Sequence, residues 1–190
     1  MTLASLEELT VYPALPKSEW RLRPAGMEDI PALVDMRVQL FQSIQLHPEE
    51  ELNLLAQNCW SYFAHAIPSG AYRAWVAETA TGIVATGGVI IHQTIPTILN
   101  AHGREGYVVG MYTLPEWRKL GIARAIIQTI LDFLRQEGVA ISTLRATVSG
   151  RPLYERIGFE NTSEMRLILD PSPAEPHFNT ALFSCQSAEA

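Results

Sequence analysis

Residues 107–127 read YVVGMYTLPEWRKLGIARAII: an apolar run, a short polar loop, and a glycine that opens a second apolar run. Tyr107 to Thr113 is almost wholly apolar, as suits a strand covered on both faces. From about Gly121 the apolar positions recur at helical spacing as far as Glu137, and Gly138 ends the helix. A helix start leaves its first N–H groups without internal partners, and the macrodipole adds about half a positive charge there. A strand feeding such a start suits an anion.

Val139 to Thr147 reads as a second strand, so the order is strand, helix, strand, a crossover that is right-handed when the strands are parallel. At about 1.5 Å per residue the helix carries the chain back some 25 Å, and a strand at about 3.3 Å per residue returns it a similar distance. Both strands then end on one side of the sheet. Residues 118–123 and 149–154 become neighbours there, where open α/β sheets bind ligands. Arg118, Lys119, Arg124, Arg151 and Arg156 fall in or beside these segments, a positive excess that complements a polyphosphate. No G-x-x-x-x-G-K-[ST] run occurs, and no G-x-G-x-x-G links a strand to a helix. On spacing alone, phosphate binding and a plain turn with solvated arginines stand about level.

The rest of the chain bounds the reading. Its 190 residues are 47% apolar, enough for one domain with a sizeable core. A net charge of -6 argues against nucleic acid, whose binding relies on Lys and Arg at phosphates, and favours a neutral or cationic substrate. Cys59 and Cys185 are the only cysteines, too far apart for a disulfide framework or a metal-type spacing, so no metal is expected. The start MTLASLEELT lacks a basic, apolar leader, and no run of about 18 apolar residues offers a membrane span. A cytoplasmic protein without membrane contact is expected.

Outward from the motif, residues 1–19 read as an N-terminal arm with Pro13 and Pro16, residues 20–170 as the domain, and residues 171–190 as a tail opened by Pro171, Pro173 and Pro176. Trp20 to Arg23 looks like a short strand. Ile30, Leu33, Val34, Leu40, Phe41 and Ile44 mark a first helix ending before Pro48. A second helix spans Glu49 to Ala66, with three glutamates in its first turn and Pro68 and Gly70 as its stop. Ala71 to Thr79 and Ile83 to Gln93 form a hairpin, in which Gly87 and Gly88 suggest a bulge or a close backbone approach. Thr94 to Gly106 is read as a loop, Arg151 to Ile157 as a short helix, and Thr162 to Leu169 as a last strand. The tail's FNTALF offers an edge strand or a contact with a second copy, hence a homodimer.

Arg118, Lys119, Leu120, Gly121, Ile122 and Ala123 fill the pattern Arg or Gln, two residues, Gly, one residue, Gly or Ala. Together with MYTLPEWR before it, LRATVSGRPLYERIGF after it and WRLRPAGMEDIPALVDMR at the start, the chain resembles the GNAT superfamily of acyl-CoA-dependent N-acyltransferases over residues 20–169. The loop alone would be a weak sign, but several segments in the right order and spacing are specific. The resemblance implies a single α/β domain, a mixed central sheet of about six to seven strands with flanking helices, and splayed parallel strands at the CoA site. It implies an N-acetyltransferase that moves an acetyl group from acetyl-CoA to a primary amine of a small molecule or a protein. The donor would be held by Arg118 to Ala123 with Arg124, and by Met111, Tyr112, Thr113 and Thr147 along the pantetheine. Thr147 stands where the family often has Asn.

By the same resemblance Tyr154 protonates the departing thiolate. A phenol with a pKa of about 10 is protonated at neutral pH and can do so; the plainer reading has it only packing beside Ile157 and Phe159. The attacking amine must be neutral, and Glu78, His92, Glu105, Tyr112 and Glu164 are candidate bases that the sequence cannot place. Backbone N–H groups from Met111 to Leu114 are expected to stabilise the oxyanion. The rival from another class is a regulatory module that binds acyl-CoA without catalysis.

Overall fold

The apolar runs between residues 71 and 113 pair in sequence order. In the computed structural model, whose described residues are 19–169, β2 (Arg73–Thr79) and β3 (Gly82–Gln93) form the expected hairpin, and β4 (Arg104–Thr113) lies antiparallel to β3. β1 (Arg21–Pro24) adds antiparallel to β2, and β5 (Ile141–Leu144) adds parallel to β4 after the crossover helix α3 (Ile122–Gln136). The sheet is mixed, as expected, but among the described residues it has five strands, in the order β1-β2-β3-β4-β5, rather than six to seven.

The missing strand is the one expected at Thr162 to Leu169. Those residues are irregular and exposed, Met165 at 94% and Leu169 at 87%. Alternating apolar residues make a strand only where a neighbouring backbone takes up their N–H and C=O groups, and no described segment does so here. The arm (1–18) and the tail with FNTALF lie outside the described residues.

Helices α1 (Ile30–Ile44) and α2 (Glu49–Ser69) cover one face of the sheet, and α3 covers the other. On the α3 side Ile122, Ile126, Ile127, Ile130 and Leu134 pack on Trp75, Ala85, Val89 and Val108. Each such aliphatic side chain stabilises the fold by about 1.5–3 kcal/mol through burial. On the other side Ile30, Leu33, Val34, Phe63 and Ala66 pack on Tyr72, Ala74 and Val76. Helix α2 runs past the expected stop at Ala66 and carries Pro68 inside its last turn. Gly70, at φ 74°, is the actual stop. β4 begins at Arg104, so the last three residues of the expected loop belong to the strand. The short helix α4 spans Arg151–Glu155.

Arg23 ties the first strand to the first helix and to the sheet. Its guanidinium donates to Asp29 at 2.6 and 2.8 Å and to Glu78 at 3.0 Å, while Arg21 donates to Glu78 at 3.0 Å. Burial alone would raise the Asp29 carboxyl, but bonds from Arg23 and the Gly26 N–H outweigh it and hold it below the usual carboxylate range. The Arg23 bond lowers Glu78 as well, against partial burial. Among the described residues no helix is long and apolar enough to cross a membrane, and no group of His, Cys, Asp and Glu could hold a metal ion.

Candidate functional site

Two irregularities of β4 shape one place on the sheet. Its register with β3 passes from Val109 opposite Gly88 to Tyr112 opposite Thr86, so Gly110 and Met111 together face Gly87. This is a bulge, with Gly110 in the left-handed region at φ 71°. Gly87 permits it, since a Cβ there would lie 2.2 Å from Met111 Sδ and 2.7 Å from Ile126 Cγ2. On its other edge β4 pairs with β5 only as far as Val108 opposite Leu144. From Val109 onward that edge of β4 is open, the splay expected of a site between parallel strands.

The loop after β4 is held by its own arginine. Arg118 Nε donates to the Thr113 carbonyl at 3.0 Å, and its guanidinium lies 5.6 Å from the centre of the Tyr112 ring. Lys119 (φ 63°) and Gly121 (φ 82°) are both left-handed, which turns successive N–H groups toward one side. No side chain caps α3, and the Ala125 N–H bonded to the Gly121 carbonyl at 3.0 Å is the first of its ladder. The N–H groups of Ile122, Ala123 and Arg124 are therefore directed out of the helix start. A Cβ on Gly121 would meet nothing within 4 Å, so space lies open before them. Leu120 and the side chains of Lys119 and Arg124 are exposed, whereas Arg151 is bonded to Asn161 and is less free than its position in the sequence suggests.

Tyr154, on α4, packs against the same apolar cluster as Met111, Leu114 and Trp117, and stands edge-on to Phe159 at 5.9 Å. Its hydroxyl has no hydrogen-bond partner among the described residues, and burial pushes its pKa up to about 12. Gly150 separates it from Thr147: a Cβ at Gly150 would lie 3.4 Å from Tyr154 Cε2 and 3.2 Å from Thr147 Oγ1. The Thr147 hydroxyl accepts from the Gly150 N–H at 3.2 Å and sits 3.3 Å from Ser149 Oγ, so it braces the turn before α4.

Four of the five candidate bases lie elsewhere. Glu78 is bound by Arg21 and Arg23 at the far side of the sheet. His92 and Glu105 face each other at 3.7 Å near the start of β4, about 20 Å of strand from Tyr112. Glu164 pairs with Arg145 at 3.7 Å in the exposed segment. Only Tyr112 is at the bulge, buried under Arg118, with its hydroxyl 3.5 Å from Gln39 Oε1 of α1. A cleft of about 350 Å³ lined by Arg73, His92, Arg104 and Glu137 also lies at the wrong end of β4 for the splay.

Two residues that the sequence did not single out meet the bulge from the α1–α2 side. The Tyr72 hydroxyl stands over it: a Cβ on Gly88 would be 2.3 Å from that oxygen, and one on Gly110 3.3 Å. Gly87 and Gly88 had signalled a close approach, and Tyr72 is what approaches Gly88. Thr86, 4% exposed, faces the same side as Val76 and Tyr112, with which it is paired, and its Oγ1 has no partner among the described residues.

Comparison with known proteins agrees with this geometry. The profile of the acetyltransferase (GNAT) domain family matches residues 70–161, which contain the bulge, the loop, α3 and Tyr154. Human N-acetyltransferase 8 is 29% identical over 93 residues, and human N-acetyltransferase 8B is 30% identical over the same length. These matches take in 47% of this chain and 39% of either relative, so the match spans about two fifths of the curated relatives. A predicted acetyltransferase with acetyl-CoA from Clostridium acetobutylicum superposes with a TM-score of 0.73 at 28% identity, covering 79% of this chain and 96% of that one. A GCN5-related N-acetyltransferase from Ralstonia eutropha JMP134, at 24% identity and a TM-score of 0.74 over 80% of this chain and 99% of its own, shares the fold. With a matching domain profile, a shared fold, and a splayed β4 that feeds an uncapped helix start, residues 70–161 form a GNAT acetyltransferase domain.

Proposed function

We propose that the protein is an N-acetyltransferase that uses acetyl-CoA to acetylate a primary amine of a small molecule or a protein. The observation that carries this reading is the open edge of β4 beyond Val108, which leads directly to the outward N–H groups of α3. Acetyl-CoA would supply the activated acyl group. Its phosphates suit the N–H groups of Ile122, Ala123 and Arg124, with Lys119 and Arg124 adding charge. The dipole contributes about 0.3–1 kcal/mol at such a site, so direct N–H bonds carry most of the affinity. Arg118 acts by fixing the loop to Thr113, and Thr147 by bracing the turn that presents Tyr154.

The amide-like pantetheine fits the unpaired edge at Met111 to Thr113, where strand-type hydrogen bonds are available. A free N–H in the Met111 to Leu114 stretch would stabilise the oxyanion as the amine adds. As the C–N bond forms and the C–S bond breaks, the Tyr154 phenol gives its proton to the leaving sulfur. The amine's own proton passes to water or to solvent-linked hydroxyls, because Glu78, His92, Glu105 and Glu164 are engaged elsewhere. The absence of a free carboxylate or imidazole from these candidates at the bulge, among the described residues, also suits the rival reading, a regulatory module that binds acyl-CoA without turnover.

The test separates donor binding from turnover. Acetyl-CoA at a concentration 100 times its Kd is expected to stabilise the fold by about 2.7 kcal/mol, read as a rise in Tm, and free thiol should appear when an amine is added. No rise in Tm at millimolar acetyl-CoA sinks the donor site. A rise without product from any amine favours the regulatory module.

A further inference from the structure

Helix α1 packs against β4, and one polar contact between them leads to the splayed end of the strand. Asp35 and Gln39 stand one turn apart on α1, and Gln39 Nε2 donates to Asp35 Oδ2 at 2.8 Å. With the amide nitrogen occupied in this way, the amide oxygen is the end left for β4. The Tyr112 hydroxyl donates to that oxygen across 3.5 Å, a long bond, and Tyr112 as a whole is 9% exposed. The hydroxyl is thus spent on joining β4 to α1.

The same tyrosine carries Arg118. The Arg118 guanidinium lies 5.6 Å from the centre of the Tyr112 ring, and its Nε donates to the Thr113 carbonyl at 3.0 Å. Among the described residues Arg118 has no carboxylate partner, so the ring and the carbonyl are what hold this long, exposed side chain. Arg118 in turn opens the loop in which Lys119 and Gly121, both left-handed, direct successive N–H groups to one side. An unbroken line of contacts therefore runs from the exposed Asp35 through Gln39, Tyr112 and Arg118 to the turn before α3. It crosses β4 within the Met111 to Thr113 stretch, where the strand edge is open.

We propose that Gln39 is a positioning residue for the acetyl donor: by fixing the Tyr112 ring it fixes Arg118, and through Arg118 the loop that offers its N–H groups to the phosphates. This rests on the N-acetyltransferase reading above. A cation is held over a ring only while the ring keeps its face in place, and a phenol tethered at its hydroxyl keeps its face better than one anchored at Cβ alone. Nothing in this role needs the covered face of the sheet to open. Gln39 acts on the donor from α1, through packed contacts, and its loss should be felt in acetyl-CoA affinity.

The test measures the Kd of acetyl-CoA by titration calorimetry on the full chain, beside the Tm of the unloaded protein. Gln39→Leu and Tyr112→Phe should each raise Kd about three- to tenfold, the range of one neutral hydrogen bond. The double variant should bind no more weakly than either single one, because both changes break the same link. Gln39→Glu keeps an oxygen for the hydroxyl and should recover most of the affinity lost in Gln39→Leu. A side chain that only packs would lower the unloaded Tm and leave Kd unchanged, and that result overturns the proposal. Losses in Kd that add in the double variant overturn it as well. Tyr112→Phe removes one oxygen and keeps the ring beneath Arg118, which leaves the test readable if Gln39→Leu does not fold. A parent protein that binds no acetyl-CoA strikes the donor reading itself, whereas a parent that binds it and variants that match it strike only the role of Gln39.

Discussion

At Tyr154 packing and chemistry ask for the same side chain. The ring fills space beside Phe159 and the α3 cluster, and the same burial pushes the hydroxyl up to about 12. A phenol with a raised pKa stays protonated at every pH at which the fold is useful, so it is a proton donor and not a base. Tyr154→Phe keeps the packing and removes the proton. We expect kcat to fall about 10²-fold with little change in acetyl-CoA affinity, checked by steady-state kinetics and Tm shift. The pH profile should rise with deprotonation of the amine and show no alkaline limb from Tyr154 below about pH 11, because the raised value moves its loss of proton beyond that range. Unchanged turnover in the phenylalanine variant would leave Tyr154 a packing residue, the plainer of the two readings its sequence context allowed.

Among the elements, β4 is the one whose departures from regularity matter. A straight strand would have paired with β3 and β5 along its whole length and offered no open edge. The bulge at Gly110 and Met111 exists because Gly87 opposite has no side chain, and the pairing with β5 ends at Val108 as the strands diverge. Gly87→Ala is expected to cost about 1–3 kcal/mol, since the new methyl meets the fully buried Ile126 as well as the more adaptable Met111. Displacing Met111 should also weaken acetyl-CoA binding. Denaturant midpoints and the acetyl-CoA-induced Tm shift measure the two effects, and a variant as stable as the parent would show that the bulge does not depend on this contact. Helix α3 needs no such exception. Its start, end and buried face follow from local rules, and the observed Ile122–Gln136 lies within one residue of the expected span at either end.

For the molecule as a whole, Arg23, Asp29 and Glu78 link β1, the first turn before α1, and β2. The Asp29 and Glu78 carboxyls are both lower in the folded state than in the unfolded chain. Their contribution is therefore fully present above the unfolded values near pH 4 and is lost as pH falls through the lower folded ones. Stability should be flat from about pH 5 to 7 and decline below about pH 4, measured by urea denaturation across that range. Arg23→Met should cost roughly 3 kcal/mol at neutral pH by leaving Asp29 buried without its partner, and should flatten the acid decline. A variant with the parent's acid profile would show that other carboxylates govern it.

The sequence by itself determined what depends on neighbours in the chain. The hairpin, the three long helices, the crossover and the glycine at the helix start were legible because turn chemistry, capping and apolar periodicity act over a few residues. The crossover's fixed hand then brought the loop and α4 to one side of the sheet. Only the tertiary structure decided how strands distant in sequence align. It left Thr162 to Leu169 without a ladder among the described residues, set the bulge at Gly110, and took Glu78, His92, Glu105 and Glu164 away from the site. It also brought the Tyr72 hydroxyl over Gly88 and Gly110, on the face of the sheet that Thr86 shares. Register and long-range packing are settled by the summed fit of many distant side chains, and no short window of sequence contains that sum.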